Sequence, residues 1–160
     1  EVFYGRIEDK FAPVFKKKME EYGAELIDIK FAPDDAEKIK EAILEHFENG
    51  ADGVITGGGM SVDPDDVTPE GIKLTGAEVI SYGAPVLPGA MFMIAYYGDK
   101  PIMGLPACGM YHKTTIFDLI FPRVLAGERI KRRDIAALGY GGLCTQCKVC
   151  TYPACHFGKA

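Results

Sequence analysis

Residues 53–70 read GVITGGGMSVDPDDVTPE, and this stretch decides the fold of the chain. The apolar pair Val54 and Ile55 predicts a short buried strand, which runs directly into three glycines. Thr68 and Pro69 are typical of the N-cap and first turn of a helix. A buried strand, a glycine-rich loop and a helix in this order are typical of a parallel sheet covered by helices.

Helices and strands alternate on both sides of this stretch. Helical spacing of apolar residues predicts a helix over residues 10–22, and Asp34 with Glu37 forms a capping-box pattern at the start of a second helix. Short strands are predicted over residues 24–29, 78–81 and 100–105, and a further helix over residues 113–121, with Pro122 at or near its end. We therefore expect an α/β domain of three layers, α/β/α, with a mostly parallel sheet.

The two ends of the chain depart from this pattern. Residues 1–10 contain no convincing apolar run before the first helix, so we expect the first strand of the domain to be missing. A glycine-rich hinge at residues 139–142 precedes a segment rich in cysteine. The sequence therefore predicts a domain over residues 1–138 and a metal-binding tail over residues 139–160.

The composition of the chain limits the classes of molecule that it is expected to bind. The chain has 160 residues, 48% of them hydrophobic and 26% charged, a balance typical of a soluble domain. A net charge of -5 argues against binding of nucleic acid or an anionic membrane through bulk positive charge. The longest apolar runs are shorter than the roughly 20 residues that a membrane span needs. No secretion signal is visible, and the five cysteines then favour a reducing cytoplasm.

The loop after the glycines carries three carboxylates, at Asp63, Asp65 and Asp66. Glycines at the end of a strand bring backbone N–H groups close to an anion, whereas bare carboxylates repel one. Mg²⁺ reconciles the two features, because it binds oxygen ligands and is commonly shared between one or two carboxylates and substrate phosphates. On the residues alone, a simple turn with solvated or helix-capping aspartates is an equal alternative.

Several short motifs resemble those of the molybdenum-cofactor biosynthesis domain family, the MoeA and MogA type that also includes gephyrin. The motifs are Thr56-Gly57-Gly58, Met60-Ser61-Val62, Asp66-Val67-Thr68-Pro69-Glu70, Pro33-Asp34-Asp35, Pro88-Gly89 and Gly104-Leu105-Pro106. They are spread over most of the chain. The resemblance implies the three-layer fold of a molybdopterin-binding domain and assembly as a homo-oligomer.

The resemblance also implies binding of molybdopterin through its phosphate. Family members either adenylate molybdopterin with Mg-ATP or use adenylated molybdopterin to insert molybdate and release AMP. The implied activity is therefore that of an adenylyltransferase or molybdotransferase, with Asp66 on Mg²⁺ and phosphate and Asp34 as a second catalytic carboxylate. A helix cap is the alternative role of Asp34. The implied cofactor-binding residues are Thr56, Gly57, Gly58, Gly59, Ser61, Asp65, Pro88, Gly89, Gly104, Leu105 and Pro106.

The loop after Pro106 departs from the family pattern. MoeA-type chains usually continue with Gly-Asn-Pro, whereas this chain has Ala107-Cys108-Gly109-Met110. A thiolate at Cys108 suits molybdate or the pterin, but a lone cysteine in an apolar setting is more often a small buried side chain, which is our expectation. The departure favours a second hypothesis, a module that binds molybdopterin without chemistry.

The tail carries Cys144, Cys147, Cys150 and Cys155 in a C-x2-C-x2-C-x4-C pattern. Such a density of thiols in a protein that is not secreted predicts a metal site. The two successive x2 gaps favour an iron–sulfur cluster over Zn²⁺, and a reduced tail without metal is the alternative. In the binding-module hypothesis this site senses redox state or docks a molybdoenzyme.

Overall fold

Residues 11–159 are described by the computed structural model of the chain, and they contain five α-helices and four strands. The helices are α1 (Phe11–Tyr22), α2 (Ala36–Glu48), α3 (Thr68–Leu74), α4 (Ile116–Leu125) and α5 (Arg132–Ala137), with a 3₁₀ turn at Ala107–Met110. The strands are β1 (Val54–Gly57), β2 (Glu78–Tyr82), β3 (Met93–Tyr97) and β4 (Lys100–Leu105). None of the helices within residues 11–159 has the length and apolar character that a membrane span requires.

The strands form one sheet in the order β1-β4-β3-β2. β1 is parallel to β4, with Val54 opposite Ile102, whereas β3 is antiparallel to both of its neighbours. Three of the four strands therefore point in one direction and β3 points in the other, which agrees with the expected, mostly parallel α/β sheet. The reversal arises because only Gly98 and Asp99 separate β3 from β4, and a two-residue hairpin joins antiparallel strands.

Helices cover both faces of the sheet, which confirms the three-layer architecture. Successive side chains of a strand point to opposite faces, and β3 shows this directly. Met93 and Ala95 pack beneath α2 and α3, whereas Ile94 and Tyr96 pack beneath α1, α4 and α5. The first core also contains Ile39, Ile43, Phe47, Ile72 and Ile102, and the second contains Met19, Met103, Phe117, Ile120 and Ile135.

Two local expectations before β1 are wrong. Residues 24–29 form no strand, and Leu26 and Ile27 remain 37% and 61% exposed. Their alternating pattern does not suffice, because a strand needs a hydrogen-bonding neighbour and no strand within residues 11–159 pairs with this segment. The N-cap of α2 is Asp35 rather than Asp34: Asp35 Oδ1 accepts hydrogen bonds from the N–H groups of Glu37 at 2.9 Å and Lys38 at 3.1 Å. The expected missing first strand falls outside the described residues.

The segment after residue 138 packs closely on the preceding layers. Phe157 is 3% exposed and belongs to the core beneath α4, and Cys144, Tyr152 and Cys155 pack against the same core. The Leu87 N–H donates to the Gly142 carbonyl at 2.7 Å, and the Cys144 N–H donates to the Leu87 carbonyl at 2.8 Å. A division of the chain at residue 138 stays a prediction, and these contacts join its two sides.

Candidate functional site

A cleft of about 660 Å³ lies where β1 and β4 end. Because the two strands are parallel neighbours, the loops that follow them meet at the same edge of the sheet, where α/β folds commonly bind ligands. Four segments line the cleft: 58–61 with Asp66, 87–91, 106–108 with His112, and a fourth from the tail. The tail contributes Leu143, Cys144 and Gln146.

The glycine loop of residues 57–59 has a backbone that larger residues rarely adopt. Gly58 and Gly59 have φ of +86° and +58°, in the left-handed region. A Cβ on Gly59 would lie 2.5 Å from Thr68 Oγ1, and the Thr68 N–H donates to the Gly59 carbonyl at 3.2 Å. The loop is therefore held against the start of α3, with its backbone facing the cleft.

Asp66 is half-buried and holds the cleft side of this loop. Its Oδ2 accepts a hydrogen bond from the Ser61 N–H at 2.6 Å, while Oδ1 has no hydrogen-bond partner within residues 11–159. Tyr82 supports the same turn, because its hydroxyl donates to the carbonyls of Met60 at 3.2 Å and Ser61 at 3.1 Å. Burial and then the charge of Asp66 raise the pKa of Tyr82, so the phenol keeps its proton at neutral pH.

The implied cofactor-binding residues divide into three groups: those that line the cleft, those in the strands behind it, and Asp65 outside it. Those that line the cleft are Gly58, Gly59, Ser61, Pro88, Gly89 and Pro106. Thr56, Gly57, Gly104 and Leu105 lie in β1 and β4 behind it, where Gly104 leaves room for Met60, whose Cε would be 2.5 Å from an added Cβ. Asp65 and Asp34 are exposed and do not line the cleft. Thr56 Oγ1 is buried and has no hydrogen-bond partner within the described residues, so it is an orphaned polar atom directly before the glycine loop.

The five cysteines are free thiols in different settings. Cys108 and Cys144 line the cleft, Cys147 is exposed, and Cys150 Sγ lies 3.6 Å from Thr114 Oγ1. Burial raises the pKa of the Cys108 thiol, and backbone N–H groups, including that of Gly89, oppose this effect in part. Cys108 is thus half-buried at the cleft wall rather than sealed in the core as expected.

The expected metal ligands of the tail are not gathered. Among residues 11–159, no group of three or more His, Cys, Asp or Glu side chains is arranged to hold a metal ion. Cys147 is exposed, whereas Cys144 and Cys155 both pack against the core and Cys144 also lines the cleft. As placed, these residues do not fit an iron–sulfur cluster or a Zn²⁺ ion.

The sequence of the chain matches one family model, described as "Probable molybdopterin binding domain", over residues 1–126. The chain belongs to the molybdopterin-binding domain family. The family match therefore includes three of the four segments that line the cleft, and the tail lies beyond it.

Individual relatives agree with this membership. A molybdopterin adenylyltransferase of Pyrococcus furiosus is 34% identical over 79 residues, which are 49% of this chain and 46% of that protein. A molybdopterin molybdenumtransferase of Staphylococcus aureus is 32% identical over 105 residues, which are 63% of this chain and 24% of that protein. The chain thus spans less than half the length of the curated relatives it matches. The molybdopterin biosynthesis enzyme MoaB of Thermus thermophilus has the same fold, with a TM-score of 0.58, 18% identity and coverage of 81% of this chain and 92% of that one.

Proposed function

We propose that the cleft binds molybdopterin and that the chain acts in molybdenum-cofactor biosynthesis as a Mg²⁺-dependent transferase. One observation carries the proposal: the glycine loop, Asp66 and the loops at Pro88–Gly89 and Pro106 converge on a single cleft at the carboxyl ends of two parallel strands. Relatives named as an adenylyltransferase and a molybdenumtransferase support the class of reaction, in which either molybdopterin is adenylated or its adenylated form receives molybdate.

The roles of the cleft residues follow from their groups. Backbone N–H groups of Gly58 and Gly59 suit the phosphate of molybdopterin, and the unpartnered hydroxyl of Thr56 lies directly before them. Asp66 suits Mg²⁺, since Ser61 occupies only one of its carboxylate oxygens. Mg²⁺, when bound, neutralises charge on the phosphate groups. Tyr82 is a positioning residue, because it reaches the site only through the carbonyls of Met60 and Ser61.

The test compares the protein with Asp66→Asn under anaerobic, reducing conditions. The protein is given adenylated molybdopterin, molybdate and Mg²⁺, or in parallel molybdopterin and Mg-ATP, and turnover of the nucleotide is followed. Asn keeps an oxygen for the Ser61 N–H but removes the charge, so we expect turnover to fall by about 100-fold. Asp52→Asn is the matched control, because Asp52 is exposed and precedes the opposite end of β1 from the cleft.

Two results contradict parts of this proposal. If Asp66→Asn turns over the nucleotide at the wild-type rate, Asp66 has no role in the reaction. If the wild-type protein binds molybdopterin but shows no turnover, the transferase proposal is wrong and the chain is a binding module. The observation that favours this second candidate is the 3₁₀ turn Ala107–Met110, which brings the Cys108 thiol to the cleft wall. Assembly as a homo-oligomer, docking of a molybdoenzyme and redox sensing by the cysteines stay predictions.

A further inference from the structure

The tail segment Leu143–Gln146 forms one wall of the cleft. Leu143, Cys144 and Gln146 line it, although the family match ends at residue 126. The segment is paired in parallel with Leu87, which also lines the cleft beside Pro88. The hydrogen bonds of Leu87 to Gly142 and of Cys144 to Leu87 flank this pairing at 2.7 and 2.8 Å. The wall is thus bonded to a loop of the binding site itself.

The rest of the tail holds this wall in place. His156 Nε2 lies 2.9 Å from the Leu143 carbonyl, and the Gly158 N–H donates to the Gly141 carbonyl at 2.9 Å. Phe157 between them is buried in the core. A Cβ on Gly142 would collide with the Pro85 carbonyl, so the backbones approach as closely as glycine allows. These contacts fix the backbone from Gly141 to Cys144, which leads directly into Gln146.

The wall presents two side chains with binding chemistry. Gln146 has φ +51°, the one non-glycine residue among residues 11–159 with a positive φ, and such a conformation is uncommon outside glycine, asparagine and aspartate. Its amide offers both a donor and an acceptor to the cleft. Cys144 adds a soft thiol next to Leu87, and Cys108 adds another near the Gly89 N–H, so thiols from two distant segments lie along one loop.

We propose that Leu143–Gln146 is part of the ligand site, with Gln146 contacting the pterin edge and Cys144 the sulfur-containing part of molybdopterin. The inference rests on the proposed function and adds a wall from outside the family match. The pterin ring carries an amide-like edge that a side-chain amide can pair with through two hydrogen bonds, as glutamine does with a nucleobase. The tail then determines which pterin the domain accepts.

Affinity for molybdopterin tests the role of Gln146. Gln146→Gly removes the amide and tolerates the positive φ, so we expect Kd to rise about tenfold, the loss of one or two hydrogen bonds. Val149→Ala is the control on the same tail, since Val149 is 75% exposed and does not line the cleft. Equal Kd values for Gln146→Gly and the wild type overturn the role of Gln146.

The affinity of a Cys144 variant tests the wall directly. Cys144→Ser keeps the size of the side chain but replaces the soft thiol, so we expect the Kd for molybdopterin to rise by about fivefold or more. Cys147→Ser is the control, because Cys147 is exposed and does not line the cleft, and it should leave Kd unchanged. A wild-type Kd in Cys144→Ser overturns the role of Cys144. An equal rise in Cys147→Ser also overturns it, because the effect then does not come from the cleft wall, and a failure of the wild type to bind overturns the proposed function with it.

Discussion

Asp118 is 4% exposed and is surrounded by donors from two helices. Lys18 of α1 forms an ion pair with its Oδ1, the Tyr22 hydroxyl donates to Oδ1 at 3.0 Å, and the Thr115 N–H donates to Oδ2 at 2.7 Å. A buried carboxylate is tolerated only when it is paired and hydrogen-bonded. These contacts therefore fix α1 to the start of α4 across about 100 residues of sequence.

Tyr22 makes this junction sensitive to alkaline pH. Burial and then the charge of Asp118 raise the pKa of Tyr22 well above its ordinary value of 10.0. As pH rises above 10, the Tyr22 phenol ionises in the unfolded chain before it ionises in the folded protein. The stability that its raised pKa contributes is therefore fully present below pH 10 and is lost as pH rises beyond it. We expect Tyr22→Phe to lower the free energy of unfolding by about 1 kcal/mol at pH 8 and by less at pH 11.

Urea unfolding at both pH values measures the difference. Tyr140→Phe is the matched control, since Tyr140 is 92% exposed and its loss should change the free energy of unfolding little at either pH. A difference between wild type and Tyr22→Phe that stays constant or grows from pH 8 to pH 11 contradicts the assignment.

For individual residues, the sequence predicts the chemical groups of the glycine loop but not the distant side chains that contact the loop and the cleft. Asp66 and the glycines lie together in the chain, so their proximity is local and visible as a motif. Tyr82 supports the loop from 21 and 22 residues away, and Cys144 reaches the cleft from beyond the family match. Contacts between distant segments depend on topology, which spacing along the chain does not reveal.

Within α4, a proline leaves one backbone carbonyl without its helical hydrogen-bond donor, and a side chain of the tail supplies a donor instead. Pro122 lies inside the helix and lacks the N–H that would bond to the carbonyl four residues earlier, that of Asp118. The Tyr152 hydroxyl donates to this carbonyl at 3.0 Å. The helix therefore continues beyond Pro122 to Leu125, and the Tyr152 hydroxyl satisfies the carbonyl that the proline leaves without a partner.

A double-mutant cycle tests this substitution of one donor for another. We expect Tyr152→Phe to lower the free energy of unfolding by about 1–2 kcal/mol, because a buried carbonyl loses its partner. In the Pro122→Ala background the new N–H of residue 122 supplies the bond, so the same change should cost less than half as much. Equal losses of stability in the two backgrounds, measured by urea unfolding, contradict the exchange of donors.

Elements with local signals are predicted well, and those that depend on partners are not. The strand β1, the glycine loop and α3 follow from residues 53–70 alone, and β4 matches its expected bounds. No strand is expected at Met93–Tyr97, because its continuous apolar run lacks the period of a strand or a helix until the hairpin pairs it with β4. Residues 24–29 show the opposite error, a strand-like pattern without a neighbouring strand. Alternation predicts which face is apolar, and pairing decides whether a strand forms.

For the molecule as a whole, the tail and the three layers share one core. Phe157 is 3% exposed among residues of α4, α5 and the sheet, whereas the glycine-rich hinge and the cysteines predict a separate unit at residues 139–160. The glycines at 141 and 142 are buried at close backbone contacts, so they serve packing. The tail therefore contributes to the core and forms one wall of the cleft.

This arrangement predicts that tail and domain unfold together. Urea unfolding is followed by far-ultraviolet circular dichroism and by exposure of Cys155, which packs against the core from the tail. We expect the two midpoints to coincide, as for a single cooperative unit. Phe157→Ala should lower both midpoints together, with a loss of about 3–5 kcal/mol, because deletion of a buried ring leaves a cavity. The control Val149→Ala, at a position 75% exposed, should change neither midpoint. Exposure of Cys155 at a lower urea concentration than the loss of helix contradicts the shared core and returns the tail to the independent unit that its cysteine pattern suggests.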